Sequence, residues 1–398
     1  MSRTVIALIE DYDAAMAECK RLVPEGPAEM GRWATEQLLN VLLLDEQDEA
    51  CRAGWYERTP ERRDQRNGFY HRRLRTKMGP LELRMPRSRS GGFRSKLVPR
   101  FKQVAPELDE GIGQLYRKGV STRSVGPLLE VLYGAGVSAS KVSRVTRALD
   151  AELRRFQSRP VEDRWRCLVL DGVYLSVKKA QGADDRPLLV AYGIDENLRR
   201  EVIDFRLAQS ESEAAWTMFL TSLQMRGLTG ERLELVVTDG AAGLIKAIEM
   251  VYPLVARQRC WVHMMRNVVA ACPKRLAKEV AQAAREIYLA PTRRAAIDKF
   301  KELKRRYGRL VPRAVAKIEH ALDELLAFFG CEPGLWRAFR TTNGIERLFV
   351  ELRRRQRPIG CLPDAAAARR LAFAVFDTYN ARRHRVRPDK ETQAVLAA

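Results

Sequence analysis

The chain has 398 residues, with 71 Lys and Arg against 50 Asp and Glu, and a formal net charge of +21. That length holds more than one sizeable core, and that cationic surplus in a chain 46% hydrophobic points to a folded partner of a polyanion, most often nucleic acid. No apolar run approaches a membrane span, the start MSRTVIALIEDYDAAM lacks a signal-peptide core, and seven cysteines never spaced CxxC argue against a disulfide framework or a zinc ribbon.

Charge divides the first part of the chain. Residues 1–50 carry 4 Lys/Arg and 11 Asp/Glu, a net of −7, whereas residues 51–105 carry 16 and 4, a net of +12. We therefore expect residues 1–105 to be a separate module. Glu29 to Leu44 reads as an amphipathic helix. RRLRTKMGPLELRMP (72–86) reads as a hairpin turning at Met78-Gly79-Pro80, with Pro86 ending its second strand. Arg87, Arg89 and Arg94 then decorate a Ser/Gly-rich linker.

Residues 106–149 are expected to be helical. Ser121 is a suitable N-cap for a helix ending near Tyr133, and Gly134-Ala135-Gly136 breaks it. Ser138 caps a second helix with an apolar stripe of Val142, Val145 and Leu149. Lys141, Arg144 and Arg147 fall on its other side. Two helices, a glycine-containing turn and a basic outer face make a helix-turn-helix candidate, although ordinary helical cores share the pattern.

From about residue 161 the period becomes that of strands. RCLVLDGVYLSV (166–177), Pro187 to Ile194 and Glu201 to Leu207 are joined too closely for parallel crossovers. A helix from Glu211 to Arg226 leads to the buried strand LELVVT (233–238), and another helix follows from Ala241. The order describes a mixed sheet with an antiparallel edge. Residues 257–340 read as helices, 257–313 carrying a net of +12, and helices follow from Thr342 and over 364–384.

Three carboxylates are candidates for chemistry. Asp171 interrupts an otherwise apolar strand, where an unpaired acid is costly unless a cation or metal compensates it. Asp239-Gly240 ends LELVVT, and the crevice beyond strand ends is where ligands bind in open α/β sheets. Glu346 lies at the edge of the stripe Ile345, Leu348, Phe349 and Leu352, facing a helix–sheet cleft; Glu351 lies on the far side. A buried acid neutralised by Lys or Arg is the plain alternative for each.

Several motifs in this order carry a resemblance: Arg66-Asn67-Gly68-Phe69-Tyr70, Lys118-Gly119-Val120-Ser121-Thr122-Arg123, Asp171-Gly172-x-Tyr174, Asp239-Gly240, Cys260-x-x-His263 and Thr341-Thr342-Asn343-x-x-Glu346-Arg347. Over most of residues 60–390 the chain resembles the mutator-type DDE transposases of bacterial insertion sequences. That resemblance implies a multi-domain α/β protein with an RNase H-like mixed sheet interrupted by an all-helical insertion and preceded by helical DNA-binding domains. The expected division is 1–105 for DNA binding or dimerisation, 106–160 for the helix-turn-helix, 161–262 and 336–398 for the catalytic domain, and 263–335 for the insertion.

The resemblance further implies that Asp171, Asp239 and Glu346 hold two Mg²⁺ ions, with Mn²⁺ able to substitute. Such a pair activates an attacking oxygen and stabilises the leaving one. The expected partners are double-stranded DNA (terminal inverted repeats and target) and a second copy of the chain, in the cytoplasm at the nucleoid and away from membrane. Arg123, Lys141, Arg144, Arg147, His263, Arg347, Arg353 and Arg354 are the candidate DNA contacts, Arg355 and Arg357 extending the same basic face. Cys260, Trp261 and Asn343 are candidates for a structural or DNA-positioning role, Trp261 as a stacking partner for an extruded base.

Three other readings stay open from the sequence. A tyrosine recombinase would use His263-x-x-Arg266 with Tyr288 or Tyr307 but leaves the acids unexplained. A DNA-binding regulator explains the charge alone, and an RNase H-like nuclease would cut without joining.

Overall fold

A computed structural model describes residues 12–98, 106–134 and 136–385. The first residues of the acidic lead, part of the basic linker, Ala135 and the segment 386–398 lie outside the described residues. The chain divides into two compact units. One comprises the described residues up to Tyr116 with Val120–Thr146; the other comprises Arg117–Gly119 and the chain from Arg147 onward. Among the described residues no helix is long and apolar enough to cross a membrane.

The first unit opens with α1 (Tyr12–Leu22) and α2 (Pro27–Cys51), followed by a hairpin of β1 (Arg66–Thr76) and β2 (Gly79–Ser88). β2 alternates as far as Met85, with Leu81, Leu83 and Met85 buried against Leu43 of α2. The helix also covers the strand's free edge. Glu36 and Asn40 accept hydrogen bonds from the N–H groups of Glu82 and Arg84, each at 2.8 Å. An edge strand left bare would invite pairing with another chain.

The hairpin differs from the sequence expectation in two ways. Thr76 pairs directly with Gly79, so Lys77 and Met78 make the turn and Pro80 lies in the strand. Pro86 does not end β2 but pairs with Phe69 beside a register shift. Both strands of a two-stranded sheet are edges, and an edge tolerates the missing N–H of proline.

α3 (Pro106–Arg117), α4 (Thr122–Tyr133) and α5 (Ala139–Thr146) complete the unit around Leu108, Ile112, Val125, Leu129 and Val142. Ser121 caps α4 as expected, accepting from Ser124 N at 3.1 Å. The second helix is shorter than the sequence suggested. α5 ends at Thr146, and Leu149 starts α6 (Leu149–Ser158), so the stripe Val142, Val145, Leu149 is split between two helices.

The second unit is built on a five-stranded mixed sheet in the order β5-β4-β3-β6-β7. β3 (Trp165–Lys178), β4 (Ala183–Asp195) and β5 (Arg200–Leu207) are antiparallel neighbours, whereas β6 (Leu235–Thr238) and β7 (Ala256–Arg259) run parallel to β3. Between them lie α7 (Glu213–Met225) and α8 (Ala242–Val251). These helices cover one face through Trp216, Phe219, Leu220, Leu244 and Ile248, packed on Leu168, Leu170 and Leu189. β7 was not anticipated: Ala256-Arg257-Gln258-Arg259 has no apolar alternation, and it is held instead by the buried Gln258.

Helices α9 (Trp261–Ala270), α10 (Lys274–Tyr288), α11 (Arg293–Tyr307), α12 (Pro312–His320), α13 (Leu322–Leu325) and α14 (Trp336–Phe339) follow, then α15 (Asn343–Gln356) and α16 (Ala365–Arg385). α16 packs on edge strand β5, where the Asn380 amide bonds both the N–H and the C=O of Val202 at 2.9 and 3.0 Å. Phe376 meets Phe205 edge-on at 5.1 Å.

Two glycines of the first unit should respond oppositely to Ala. At Gly126 in α4 a Cβ would collide with the carbonyl oxygen of Val137, whereas at Gly111 in α3 it meets nothing within 4 Å. Gly126→Ala should lower unfolding free energy by about 1–3 kcal/mol. Gly111→Ala should raise it by roughly 0.5–1 kcal/mol, since alanine restricts the unfolded chain. Denaturant titration of the full chain checks both signs.

Candidate active site

Adjacent strands deliver the first two carboxylates. β3 and β6 are parallel, with Val169 beside Val237, and two further residues along that register set Asp171 alongside Asp239. Side chains alternate along a strand, so Asp171 shares a face with Val169, opposite the Leu168 and Leu170 core. Asp239 closes a turn by accepting from Ala241 N at 2.9 Å. Gly240 takes φ +93°, and any side chain there would strike the Arg259 guanidinium, which donates to the Gly240 carbonyl at 3.3 Å. Only glycine satisfies both the left-handed backbone and that close cation.

Glu346 comes from the first turn of α15, and Cys260 positions it. The Cys260 thiol, buried at the end of β7, lies 3.2 Å from the Thr342 hydroxyl and accepts from Thr342 N at 3.3 Å. Trp261 N donates to Arg340 O at 3.1 Å. These bonds tie the start of α9 to the start of α15, 82 residues on. The consequence is a contact between His263 Nε2 and Glu346 Oε1 at 3.5 Å. Trp261 is itself 1% exposed, its indole N–H donating to Leu325 O at 2.7 Å, so it packs in the core with no face open to a base.

Arg266, one turn beyond His263, grips Glu346 with both arms: Nη1 to Oε1 at 3.0 Å and Nη2 to Oε2 at 2.7 Å. Nothing in the sequence marks Arg266 for this role, because spacing within α9 says nothing about what another helix brings opposite it. The same holds for Arg259, which donates to the carbonyl of Gly240, and for Glu211, which accepts from the Tyr174 hydroxyl at 3.1 Å.

The acids feel one another. Burial is the largest cause raising the Asp171 pKa to about 7; His263 and the Gly172 N–H oppose it, and the Asp239 and Glu346 charges add to it. The Cys260 thiol raises the His263 pKa, burial lowers it, and Asp171 and Glu346 raise it further. Even so, among the described residues no three His, Cys, Asp or Glu side chains are gathered as one metal-ligand cluster. Glu346 is spent on Arg266 and His263.

The other candidates are dispersed. Arg123, Arg144 and Arg147 are exposed, whereas Lys141 is ion-paired to Asp109 at 2.9 Å. Asn343, Arg347, Arg353 and Arg357 are exposed. Arg354 is exposed but paired to Glu351 at 2.7 Å. Arg355 does not belong to a basic outer face: it is buried, bonding Glu351 at 2.8 Å and the Arg117 carbonyl at 2.7 Å. Its side chain anchors α15 instead of meeting DNA.

The Asp171 shift has a pH signature. A folded-state pKa of about 7 against an unfolded value near 3.8 gives a contribution present below pH 4 and lost as pH rises through 7. In metal-free buffer, Asp171→Asn should therefore raise the melting temperature at pH 8, with the gain shrinking toward pH 4. A gain independent of pH in thermal melts would contradict the burial argument.

The matches to known proteins agree with one another. Residues 11–383 match the family model described as Transposase, Mutator family. The chain is 36% identical over 355 residues to the transposase for insertion sequence element ISRM5 of Rhizobium meliloti, covering 88% of this chain and 87% of that one. It is 33% identical over 349 residues to the transposase for IS256 in transposon Tn4001 of Staphylococcus aureus, covering 85% and 87%. It is 32% identical over 338 residues to the IS1081 transposase of Mycobacterium tuberculosis, covering 84% and 81%. With a family model spanning nearly its whole length and insertion-sequence transposases among its relatives, the chain belongs to the Mutator family of transposases.

Proposed function

We propose that the protein cuts and joins DNA at the ends of its own insertion sequence, using Asp171, Asp239 and Glu346 as a DDE triad on an RNase H-like sheet. The observation that carries this reading is the register of β3 and β6, which sets Asp171 alongside Asp239, with Glu346 close enough for its charge to add to the raised Asp171 pKa. Asp171, Asp239 and Glu346 offer the hard oxygen donors that Mg²⁺ prefers, with Mn²⁺ as a substitute, once Glu346 is drawn in beside the other two. Two bound ions would supply activation of the attacking oxygen and charge stabilisation of the leaving one.

The chain's own residues supply the rest. Cys260 and Thr342 hold α15 against β7, which keeps Glu346 near the strand ends. Arg266 and His263 neutralise Glu346, so the carboxylate must exchange that guanidinium before it can serve as a metal ligand. The helix-turn-helix reading of α4 and α5, with exposed Arg123 and Arg144, makes the first unit the candidate reader of terminal inverted repeats. Bringing two element ends together calls for two copies of the chain, at the nucleoid where the DNA is.

The test uses purified protein with duplex element ends, with and without Mg²⁺, comparing wild type with Asp171→Ala, Asp239→Ala and Glu346→Ala. Cleaved and joined products should require the metal and fall to background in each variant. Duplex affinity should change by no more than about twofold, because phosphate contacts set it. Cleavage without joining would favour a simple nuclease, and full activity in any one variant would end the triad assignment.

A further inference from the structure

Beside Glu346 the second unit holds a cleft of about 980 Å³ between β3, β4, α9, α10 and α15. Six arginines line it, Arg200, Arg266, Arg285, Arg337, Arg340 and Arg347, and no Asp or Glu does. Elsewhere in the second unit, several arginines withdrawn from solvent are answered by acids: Arg117, Arg159, Arg164, Arg226 and Arg370 all have carboxylate partners. Here Arg266 alone has one, Glu346; among the described residues the other five make no ion pair. Arg340 is fixed in place by donating to Tyr288 O at 2.8 Å while its guanidinium stands 5.0 Å over the Tyr288 ring.

Five unanswered cations in a concave, partly apolar site repel one another, and a recessed wall focuses their field on whatever enters. The floor is formed by Val169 and its cross-strand neighbour Tyr192, on the face of β3 that carries Asp171. An occupant therefore lies next to the acids. It must be anionic along its length, because the arginines come from β5, α9, α10, α14, α15 and the turn before α15. It must also be slender to reach that floor: a single strand can enter a recess of about 980 Å³, whereas a duplex could only lie across its mouth.

We propose that this cleft is a binding site for single-stranded DNA, its arginines holding successive phosphates of a strand that leads to or from the triad. The proposal rests on the strand-transfer reading above and adds where an unpaired strand runs. Arginine suits the role because its planar fork stays charged and pairs with phosphate oxygens two at a time.

Arg285 and Arg337 are exposed and make no side-chain bond among the described residues, so replacing them leaves the packing intact. The experiment measures fluorescence anisotropy of a labelled oligothymidylate, which cannot fold, with the full chain over a range of salt. Wild type is compared with Arg285→Ala/Arg337→Ala and with an equal-charge control, Arg305→Ala/Arg309→Ala, whose residues are exposed and lie outside the cleft. The cleft pair should weaken binding roughly tenfold and reduce the salt slope by about 1.4, at about 0.7 per single-strand phosphate contact. The control pair should bind as wild type does. Equal losses in both pairs, or no loss in the cleft pair, would overturn the proposal. Metal-dependent cleavage of duplex ends by wild type, followed in parallel, reports on the triad alone, so a failed cleft and a failed triad are told apart.

Discussion

A sulfur-centred contact between distant parts of the chain decides where Glu346 stands relative to the sheet. Asp171 and Asp239 need little help, because two neighbouring parallel strands carry them side by side. Glu346 arrives on a helix more than a hundred residues after Asp239, and its first turn is fastened to the sheet by Cys260 and Thr342. Cysteine fits that role as a small buried group that both accepts from an N–H and approaches a hydroxyl. The same contact sets His263 against Glu346 and brings Arg266 within reach.

The arrangement trades stability for function at a few atoms. Asp171 sits in the central strand of the sheet, where an acid is disfavoured, and His263, Arg266 and one N–H relieve it only in part. Glu346 is fully satisfied by contrast. One acid is thus in want of a cation while another already holds one.

The sheet and its acids were legible in the sequence because burial writes long apolar runs, and an Asp inside such a run stands out. Ser121 announced its cap because the N-cap has a small chemical vocabulary. β7 was not legible: four residues with two arginines depend on Gln258 bonding Arg259 O and Leu325 O, which no periodicity encodes. The hairpin turn was misplaced because Met-Gly-Pro looks like a turn wherever it stands, and strand register decides whether it is one. Arg355 looked like part of a basic face, yet helix periodicity puts it beside Leu352 and Leu348 on the buried side. Pairings across elements, Arg266 with Glu346 above all, belong to tertiary structure and leave no mark on local sequence.

The helical excursion that starts at Trp261 ends at Arg340 and Thr342, so its two ends touch each other. A segment that leaves and re-enters a domain at one point closes on itself there, and here β7 grips it a second time, Gln258 donating to Leu325 O and accepting from Phe328 N. A change in helix length far from both holds leaves each of them in place. A one-residue slip at Cys260 or Thr342 would break the first, and would do more harm than the loss of a whole turn of helix far from it.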